Sequence, residues 1–165
     1  TLPLARLGVV GGGQLARMLA PACNALHVHM TILDPMHQYP AGQVALDQIQ
    51  GALDDPDALR QLCEQSDIVT FDLENVGADI LMTLADQGME MVPSPATIRL
   101  IQNKFEQKQH YRKKGIPTAD FVDCGEDPAF ADVVAFGLPC VQKTHTGGYD
   151  GRCVHISRSA DDWER

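Results

Sequence analysis

The amino-acid sequence predicts an α/β fold built on a Rossmann-like parallel sheet. Short apolar runs alternate with amphipathic helical segments through the first half of the chain, and short turns join them. A glycine-rich turn links the first apolar run to the first helical segment. Strands that alternate with helices in this way are expected to run parallel, with the helices as crossovers.

Five strands and three helices are expected in the first half. The strands are predicted at residues 7–10, 28–33, 46–49, 68–71 and 89–92, and the helices at residues 14–26, from residue 56 onward, and at 80–86. In the first helix, Leu15, Met18 and Ala22 recur at helical spacing. Asp55 is the predicted N-cap of the second helix, because Pro56 after it occupies the first helical position that proline favours.

The second half is richer in helix signals. Ser94 is expected to cap a short helix, and Asn103 with Glu106 is typical of a capping box that opens a longer one. The further elements expected here are the end of that helix near Lys114, a strand at residues 119–122, a helix that opens at Asp127 and Pro128, and a strand that contains Lys143. The change in pattern predicts two domains, at residues 1–98 and 99–165.

Composition and charge exclude several classes of protein. The chain has 165 residues, and 13 Lys and Arg against 22 Asp and Glu give a net charge of −9. Nucleic-acid binding needs a clustered basic patch, and the basic run at residues 112–114 is expected to be a helix C-terminus, where cations suit the dipole. No apolar run approaches the roughly 20 residues that a membrane-spanning helix needs, and no secretory signal is visible.

The cysteine and histidine patterns favour reduced thiols and no metal centre. The five cysteines are scattered without a Cys-x-x-Cys pair, which favours free thiols in a cytoplasmic protein over disulfides or a zinc site. His27 and His29 are predicted on one face of a strand, but no cysteine or carboxylate lies at ligand spacing from them.

The first glycine turn fits the Gly-x-Gly-x-x-Gly/Ala pattern of dinucleotide-binding folds. Residues 11–16 read Gly-Gly-Gly-Gln-Leu-Ala, and Asp34 follows Gly13 by 21 positions, near the end of the next predicted strand. An acid at that distance binds ribose hydroxyls in dinucleotide sites. Two interpretations stay open: the turn binds NAD, or a strand that enters a helix so tightly needs glycine whatever it binds.

A second glycine turn carries more chemistry than a plain surface turn needs. Gly147 and Gly148 permit close approach to a ligand and leave amide groups for an anion. Tyr149, Asp150 and Arg152 add an aromatic face, an acceptor and a forked donor.

Two separated lysines, Lys104 and Lys143, add positive charge to the second half. Together with the second glycine turn, they suit a triphosphate better than a nicotinamide. The first domain also closes after about five strands, sooner than a dehydrogenase fold would.

The order of these motifs resembles that of the 5-(carboxyamino)imidazole ribonucleotide synthetases, ATP-grasp enzymes of de novo purine biosynthesis. The matching segments are residues 11–15, 33–35, 74–76, 93–95, 102–104, 115–119 and 147–152. The resemblance implies a pre-ATP-grasp domain at residues 1–98, followed by the beginning of an ATP-grasp domain at 99–165.

The resemblance also implies a reaction. ATP and bicarbonate give carboxyphosphate, whose carboxyl group passes to the exocyclic amine of 5-aminoimidazole ribonucleotide, with release of ADP and phosphate. The protein's tasks are then positioning and charge stabilisation. Mg²⁺ is implied, with its carboxylate ligands in a C-terminal part of the family's sequence outside this chain. The chain is therefore expected to be a fragment without turnover of its own, and family members commonly form homodimers.

The resemblance assigns roles to three groups of residues. The residues implied to contact ATP are Lys104, Lys143, Gly147 and Gly148. Those implied to face the aminoimidazole ribonucleotide during catalysis are Tyr149, Asp150 and Arg152, with Tyr149 as a proton relay. Those implied on the first-domain side of the substrate pocket are Gly13, Gln14, Leu15 and Glu74. Asp34 is then interpreted as a turn former ahead of Pro35 rather than a ribose ligand.

The chain departs from the family pattern in two places. Cys153 and Val154 stand where the family's loop continues with glycine and glutamine, and Asp72 with Leu73 stands where an acidic–aromatic pair is common. A side chain in place of glycine is expected to affect the loop backbone at Cys153. Two alternatives stay open: another ATP-grasp ligase, such as the formate-using glycinamide ribonucleotide transformylase or biotin carboxylase, and a non-catalytic NAD-binding module.

Overall fold

The computed structural model describes residues 5–37, 39–126, 129–148, 151–159 and 162. The chain divides into two compact units, Thr1–Arg99 and Leu100–Arg165. Within the described residues, no helix is both long and apolar enough to cross a membrane.

The first unit is built on a four-stranded parallel sheet, which confirms the predicted fold class. Its strands are β1 (Arg6–Val10), β2 (His29–Asp34), β3 (Asp47–Gln50) and β4 (Ile68–Phe71), in the spatial order β3-β2-β1-β4. Val10 pairs with Leu33 on one side and with Phe71 on the other. The residues that follow these three therefore meet at the carboxyl edge of the sheet, where α/β folds place their ligands.

Four helices accompany this sheet in sequence. They are α1 (Gln14–Ala25), α2 (Pro56–Gln65), α3 (Ala78–Asp86) and α4 (Pro95–Gln102), and a short 3-10 helix spans Pro40–Gln43. The predicted cap of α2 is confirmed, because the Asp55 carboxylate accepts hydrogen bonds from the amides of Asp57 at 2.9 Å and Ala58 at 3.1 Å. The Ser94 hydroxyl likewise accepts from Thr97 N at 3.3 Å, ahead of α4.

The core of the first unit lies between the sheet and its helices. The most deeply buried side chains include Val9, Val10, Met30, Ile32 and Leu33 from the strands, with Leu59, Leu62, Leu81 and Leu84 from α2 and α3. Near-continuous apolar runs of this kind are typical of parallel strands that are covered on both faces. Burial of the two central strands therefore holds the carboxyl edge of the sheet in a defined register.

The predicted fifth strand at residues 89–92 is wrong. The segment forms a single parallel bridge between Val69 and Met91, with hydrogen bonds from Val69 N to Glu90 O and from Val92 N to Val69 O, each 2.9 Å. Pro93 follows directly and has no N–H to donate to a further rung. The segment therefore contacts β4 without extending the sheet.

The predicted placement of the two histidines on one strand face is also wrong. His27 lies in the turn after α1 with φ of 55°, and His29 begins β2. The His29 Nε2 atom lies 2.6 Å from the Asp47 Oδ2 atom on β3. His29 therefore makes a cross-strand polar contact, and His27 belongs to a different local structure.

In its described residues, the second unit contains two complete helices and an antiparallel hairpin. Helix α5 spans Lys104–Lys113, α6 spans Phe130–Phe136, and β5 (Cys140–Lys143) pairs with β6 (Val154–Ser157). Asn103 caps α5 as predicted, since its side-chain oxygen accepts from Phe105 N at 3.0 Å and Glu106 N at 3.1 Å. The predicted helix opening at Asp127 and Pro128 lies outside the described residues.

The predicted strand at residues 119–122 is wrong, because this segment has no regular secondary structure and pairs with no described strand. Residues in and next to this segment contact side chains of α5 instead. The Lys108 ammonium donates to the Thr118 hydroxyl at 3.0 Å and to the Ala119 carbonyl at 3.1 Å, and Phe105 contacts Phe121 edge to face. Side chains of α5 thus supply contacts that a partner strand would otherwise make.

Candidate functional site

The first glycine turn lies at the carboxyl edge of the sheet, between β1 and α1. The Gly11 amide donates to the Leu33 carbonyl at 2.9 Å, and the Gly12 amide donates to Asp34 Oδ2 at 2.9 Å. At Gly13, a Cβ atom would collide with Asp72 Oδ2. A residue with a side chain at this position would therefore displace the neighbouring carboxylate.

Asp72 is the residue that makes this approach, and sequence reasoning missed its role. Its Oδ2 accepts from Gly13 N at 2.8 Å and its Oδ1 accepts from Ala16 N at 2.7 Å. Gly13 is the N-cap of α1 and has no side chain to cap it. Asp72, directly after β4, therefore caps α1 from another segment of the chain. The available signal was an acid placed immediately after a predicted strand.

Asp34 is engaged in the same way on the other side of β1. Its side chain is 4% exposed, and its Oδ1 accepts from Met36 N at 2.8 Å while its Oδ2 accepts from Gly12 N. The contact with Met36 confirms the prediction of a turn former ahead of Pro35. The contact with Gly12 was not predicted, and it ties that turn to the glycine turn.

The four residues predicted on the first-domain side of a substrate pocket come together at this edge. Gly13 caps α1, and Gln14 and Leu15 begin that helix with exposed side chains; Leu15 is 67% exposed. Glu74 lies partly buried in the loop after β4, where its carbonyl accepts from Val76 N at 2.9 Å. Since β1 and β4 are neighbours, the loops that carry these residues leave the sheet side by side.

The second glycine turn contacts the start of α5. The Lys104 ammonium donates to the Gly148 carbonyl at 3.0 Å, and the Lys104 amide donates to the His145 carbonyl at 2.8 Å. A Cβ atom at Gly148 would lie 2.7 Å from the Arg152 carbonyl, so only glycine fits where the turn folds back on itself. Three residues predicted to contact ATP therefore lie within one short segment and its partner: Lys104, Gly147 and Gly148.

Four predicted site residues remain: Lys143, Tyr149, Asp150 and Arg152. Lys143 ends β5 with an exposed side chain, four residues before Gly147, and Arg152 is exposed at the far side of the turn. Tyr149 and Asp150 lie outside the described residues. Of the four residues predicted to contact ATP, Lys104 thus contacts the glycine turn, and Lys143 ends the strand that leads into it.

An aromatic group that sequence reasoning missed supports this turn. The His145 ring stacks on Phe105, with centroids 5.2 Å apart and planes inclined by 9°, and Phe105 meets Phe121 edge to face at 5.7 Å. His145 Nε2 also lies 3.5 Å from Asp123 Oδ1. The guanidinium of Arg112 covers the other ring, 4.1 Å from the Phe121 centroid. These contacts hold His145 in place, two residues before the glycine turn begins.

Cys153, whose side chain was expected to affect the backbone of the second glycine turn, adopts a glycine-like conformation. Its φ is 56°, in the left-handed region that side chains disfavour. Its carbonyl accepts from Thr144 N at 3.4 Å, which closes the base of the turn. The residue that stands in place of the family's glycine therefore adopts a backbone conformation that favours glycine.

The buried thiols are poor nucleophiles in this environment. Burial raises the pKa of Cys63 to about 11, and burial also raises the pKa of Cys23. The thiolate is the reactive form of cysteine, so both side chains behave as small apolar groups near neutral pH. Within the described ranges, no group of three or more His, Cys, Asp or Glu side chains is arranged to hold a metal ion.

Comparison with known proteins identifies relatives for both parts of the chain. The family model described as the ribonucleotide synthetase preATP-grasp domain matches residues 4–102. A phosphoribosylaminoimidazole carboxylase from Ogataea methanolica is 38% identical over 151 residues, which cover 88% of this chain and 28% of that protein. An N5-carboxyaminoimidazole ribonucleotide synthase from Pseudomonas aeruginosa is 36% identical over 158 residues, which cover 95% of this chain and 43% of that protein.

A solved structure extends the similarity to three dimensions. It is the N5-carboxyaminoimidazole synthase from Aspergillus clavatus in complex with ADP and 5-aminoimidazole ribonucleotide. The TM-score is 0.85 at 34% identity, and the match covers 96% of this chain and 42% of that one. The chain therefore spans less than half the length of each of these relatives.

Proposed function

Because this chain belongs to the ribonucleotide synthetase preATP-grasp domain family, we propose that it forms the N-terminal part of an ATP-dependent 5-aminoimidazole ribonucleotide carboxylase. The observation that carries the proposal is the likeness, over nearly the whole chain, to a protein whose structure holds ADP and that ribonucleotide. The match to that structure includes residues of both units of this chain. The activity belongs to purine biosynthesis, with bicarbonate as the carboxyl donor.

The proposed reaction has two bond-forming steps. A bicarbonate oxygen attacks the γ-phosphorus of ATP and releases ADP, which leaves carboxyphosphate. The exocyclic amine of the ribonucleotide then attacks the carbonyl carbon, phosphate leaves, and the nitrogen loses a proton. Phosphorylation turns a poor electrophile into one with a good leaving group, so the protein's work is positioning and charge stabilisation.

We assign the two units to two domains. Residues 1–98 form the pre-ATP-grasp domain, and residues 99–165 form the beginning of an ATP-grasp domain. The matched range of the family model and the compact division after Arg99 support this assignment. Limited proteolysis tests it: cleavage is expected at the junction of α4 and α5, near residue 103, and preferential cleavage elsewhere in either unit contradicts it.

The second unit is assigned to ATP. Gly147 and Gly148 contact the triphosphate, and Lys104 and Lys143 contact the phosphates or the adenine pocket; the Lys104 ammonium donates to the Gly148 carbonyl. ATP is expected as its magnesium complex. The described part of the chain holds no cluster suited to a metal, so we assign no residue here to Mg²⁺.

The ribonucleotide is assigned to two further groups. Gly13, Gln14, Leu15 and Glu74 contact it from the carboxyl edge of the sheet. Tyr149, Asp150 and Arg152 act on its amine, with Tyr149 as a proton relay; its ordinary pKa near 10 means that a neighbouring base must assist it. Dinucleotide binding is disfavoured, because the Asp34 carboxylate accepts backbone amides instead of presenting its oxygens to a ribose.

Binding measurements on the 165-residue chain test the proposal. Calorimetric titrations with ATP, 5-aminoimidazole ribonucleotide and NADH are expected to show heat for the first two and none for NADH. Tight NADH binding without a response to ATP would overturn the proposal. Phosphate release from ATP with bicarbonate and the ribonucleotide is expected to be absent for this chain alone and present for a protein that carries the remaining length of its relatives.

Two further properties are proposed from the cysteines and from the family resemblance. Five unpaired cysteines suit the reducing cytoplasm, and the family resemblance suggests a homodimer. Cell fractionation and light scattering test them. Recovery from an oxidising compartment, or a monomeric mass at high concentration, would contradict the respective statement.

A further inference from the structure

We propose that Asp72 is a built-in anion that occupies the phosphate-binding position of the first glycine turn and thereby excludes phosphate groups from it. The turn has the residue pattern of a dinucleotide site. Unlike the amides of a phosphate site, however, several of its backbone amides already donate to carboxylates of the protein. That difference makes Asp72 a specificity-determining residue.

Phosphate sites at the start of a helix depend on free backbone amides. A phosphate there accepts hydrogen bonds from N–H groups of the first turn and is favoured by the positive end of the helix dipole. In this chain, each carboxylate oxygen of Asp72 takes one such amide, Gly13 N at 2.8 Å and Ala16 N at 2.7 Å. Asp72 therefore occupies two of the amide donors at the start of α1, together with the favourable potential that a phosphate would need.

The carboxylate also occupies the space above the turn. An added Cβ atom on Gly13 would collide with Asp72 Oδ2, so the carboxylate lies directly against the glycine backbone. A phosphate, which is larger than a methyl group, cannot take the same place while Asp72 remains there. Steric exclusion thus acts together with occupied donors.

A second carboxylate strengthens the exclusion. Asp34 accepts from Gly12 N at 2.9 Å and is nearly fully buried. The Gly11 amide donates to the Leu33 carbonyl. The amides of Gly11, Gly12, Gly13 and Ala16 therefore all have acceptors within the first unit. Two negative charges at one helix start also repel an approaching phosphate.

One consequence concerns the substrate and rests on the proposed function. A ribonucleotide that contacts this turn does so through an uncharged part, such as its hydroxyl groups, and its phosphate lies away from Asp72. A hydroxyl suits the site because it donates to a carboxylate and accepts from an amide. The exclusion of phosphate stands independently of that consequence.

The experiment follows the backbone amides of Gly13 and Ala16 by ¹⁵N NMR in the full 165-residue chain. In the wild type, additions of inorganic phosphate or NADH to about 10 mM, the range of very weak binding, are expected to leave both signals unchanged. In Asp72→Ala, the vacated position is expected to accept formate, which is a carboxylate of similar size. Formate should then shift both signals and raise the melting temperature in a concentration-dependent way, and phosphate should shift them as well.

Asp67→Ala is the matched control. Asp67 is an exposed carboxylate before the same strand, and it bonds to Arg6 rather than to the glycine turn. Formate is expected to leave the Gly13 and Ala16 signals of this variant unchanged. A common response of both variants to formate would indicate a salt effect and would overturn the proposal.

Two other results would also overturn it. One is a wild-type chain whose Gly13 and Ala16 amides respond to phosphate as strongly as those of the variant. The other is a folded Asp72→Ala chain that ignores formate. Should Asp72→Ala fail to fold, Asp72→Ser removes the carboxylate and leaves a shorter side chain that vacates the position. It is expected to bind phosphate at least about tenfold more tightly than the wild type, and equal affinity counts against the proposal. Ribonucleotide binding by the wild-type chain separately tests the proposed function.

Discussion

The Lys104 ammonium donates a hydrogen bond to the Gly148 carbonyl across 44 residues of sequence, at 3.0 Å. The contact places a positive charge at the second glycine turn while the Lys104 backbone amide holds the His145 carbonyl. One residue therefore anchors the turn at two points. Its side chain is partly buried, which strengthens the interaction relative to a fully exposed one.

Lys104→Met is expected to weaken ATP binding by about tenfold or more, because a hydrogen bond to a charged group contributes roughly 1.5–3 kcal/mol. Calorimetric titration of the chain with ATP measures the change. Lys114→Met is the matched control, since Lys114 is an exposed cation after the same helix. Equal loss of affinity in both variants would show that only net charge matters.

Cys153→Gly is expected to stabilise the second unit. The left-handed conformation costs a non-glycine residue roughly 1–2 kcal/mol, and the greater unfolded-state freedom of glycine offsets roughly 0.5–1 kcal/mol of the gain. A net rise of about 0.5–1 kcal/mol in the free energy of unfolding should appear in urea melts. Cys124→Gly, at a residue without positive φ, is expected to lower stability. A destabilised Cys153→Gly chain would contradict the expectation.

Asp55→Ala is expected to lower the free energy of unfolding of the first unit by about 1 kcal/mol. The substitution leaves the amides of Asp57 and Ala58 without their side-chain acceptor at the start of α2. Thermal or urea unfolding followed by circular dichroism measures the loss. Asp57→Ala retains the cap and removes only a charge that favours the helix dipole, so its effect should be smaller.

Thiol labelling is expected to separate the cysteines by their environment. Cys153 is exposed and should react first with a disulfide reagent near neutral pH, whereas Cys63 is buried, has a pKa raised to about 11, and should react last. Mass spectrometry of partly labelled chain identifies the order. Cys153→Ser should remove the fast phase, and early modification of Cys63 in folded protein would contradict the structure.

The raised pKa of Cys63 also predicts a dependence of stability on alkaline pH. Burial favours the neutral thiol, so the folded chain holds its proton more tightly than the unfolded chain does. The resulting stabilisation is fully present below the ordinary pKa of 9.0 and is lost as pH rises toward about 11. Urea unfolding across this window should show a decline that is smaller in Cys63→Ala. An equal decline in both chains would assign the effect to other groups.

The local elements of this fold could be predicted from the sequence because their signals are local. Asp55 and Asn103 cap helices whose first amides lie two and three residues away. The alternation of apolar runs and helices likewise predicts a parallel sheet. Prediction was wrong at residues 89–92 and 119–122. Both segments have the composition of a strand, but strand formation also needs hydrogen-bond partners from other parts of the chain.

The sequence by itself thus determined the fold class, the starts of α1, α2, α4 and α5, and the two glycine turns. Only the tertiary structure decided which residues bond to those turns. Asp72 reaches Ala16 across 56 residues because β4 lies beside β1, and the strand order that brings them together is not written in either segment. A dinucleotide-like pattern therefore became a turn closed by its own carboxylates, since strand pairing places an acid where a phosphate would otherwise bind.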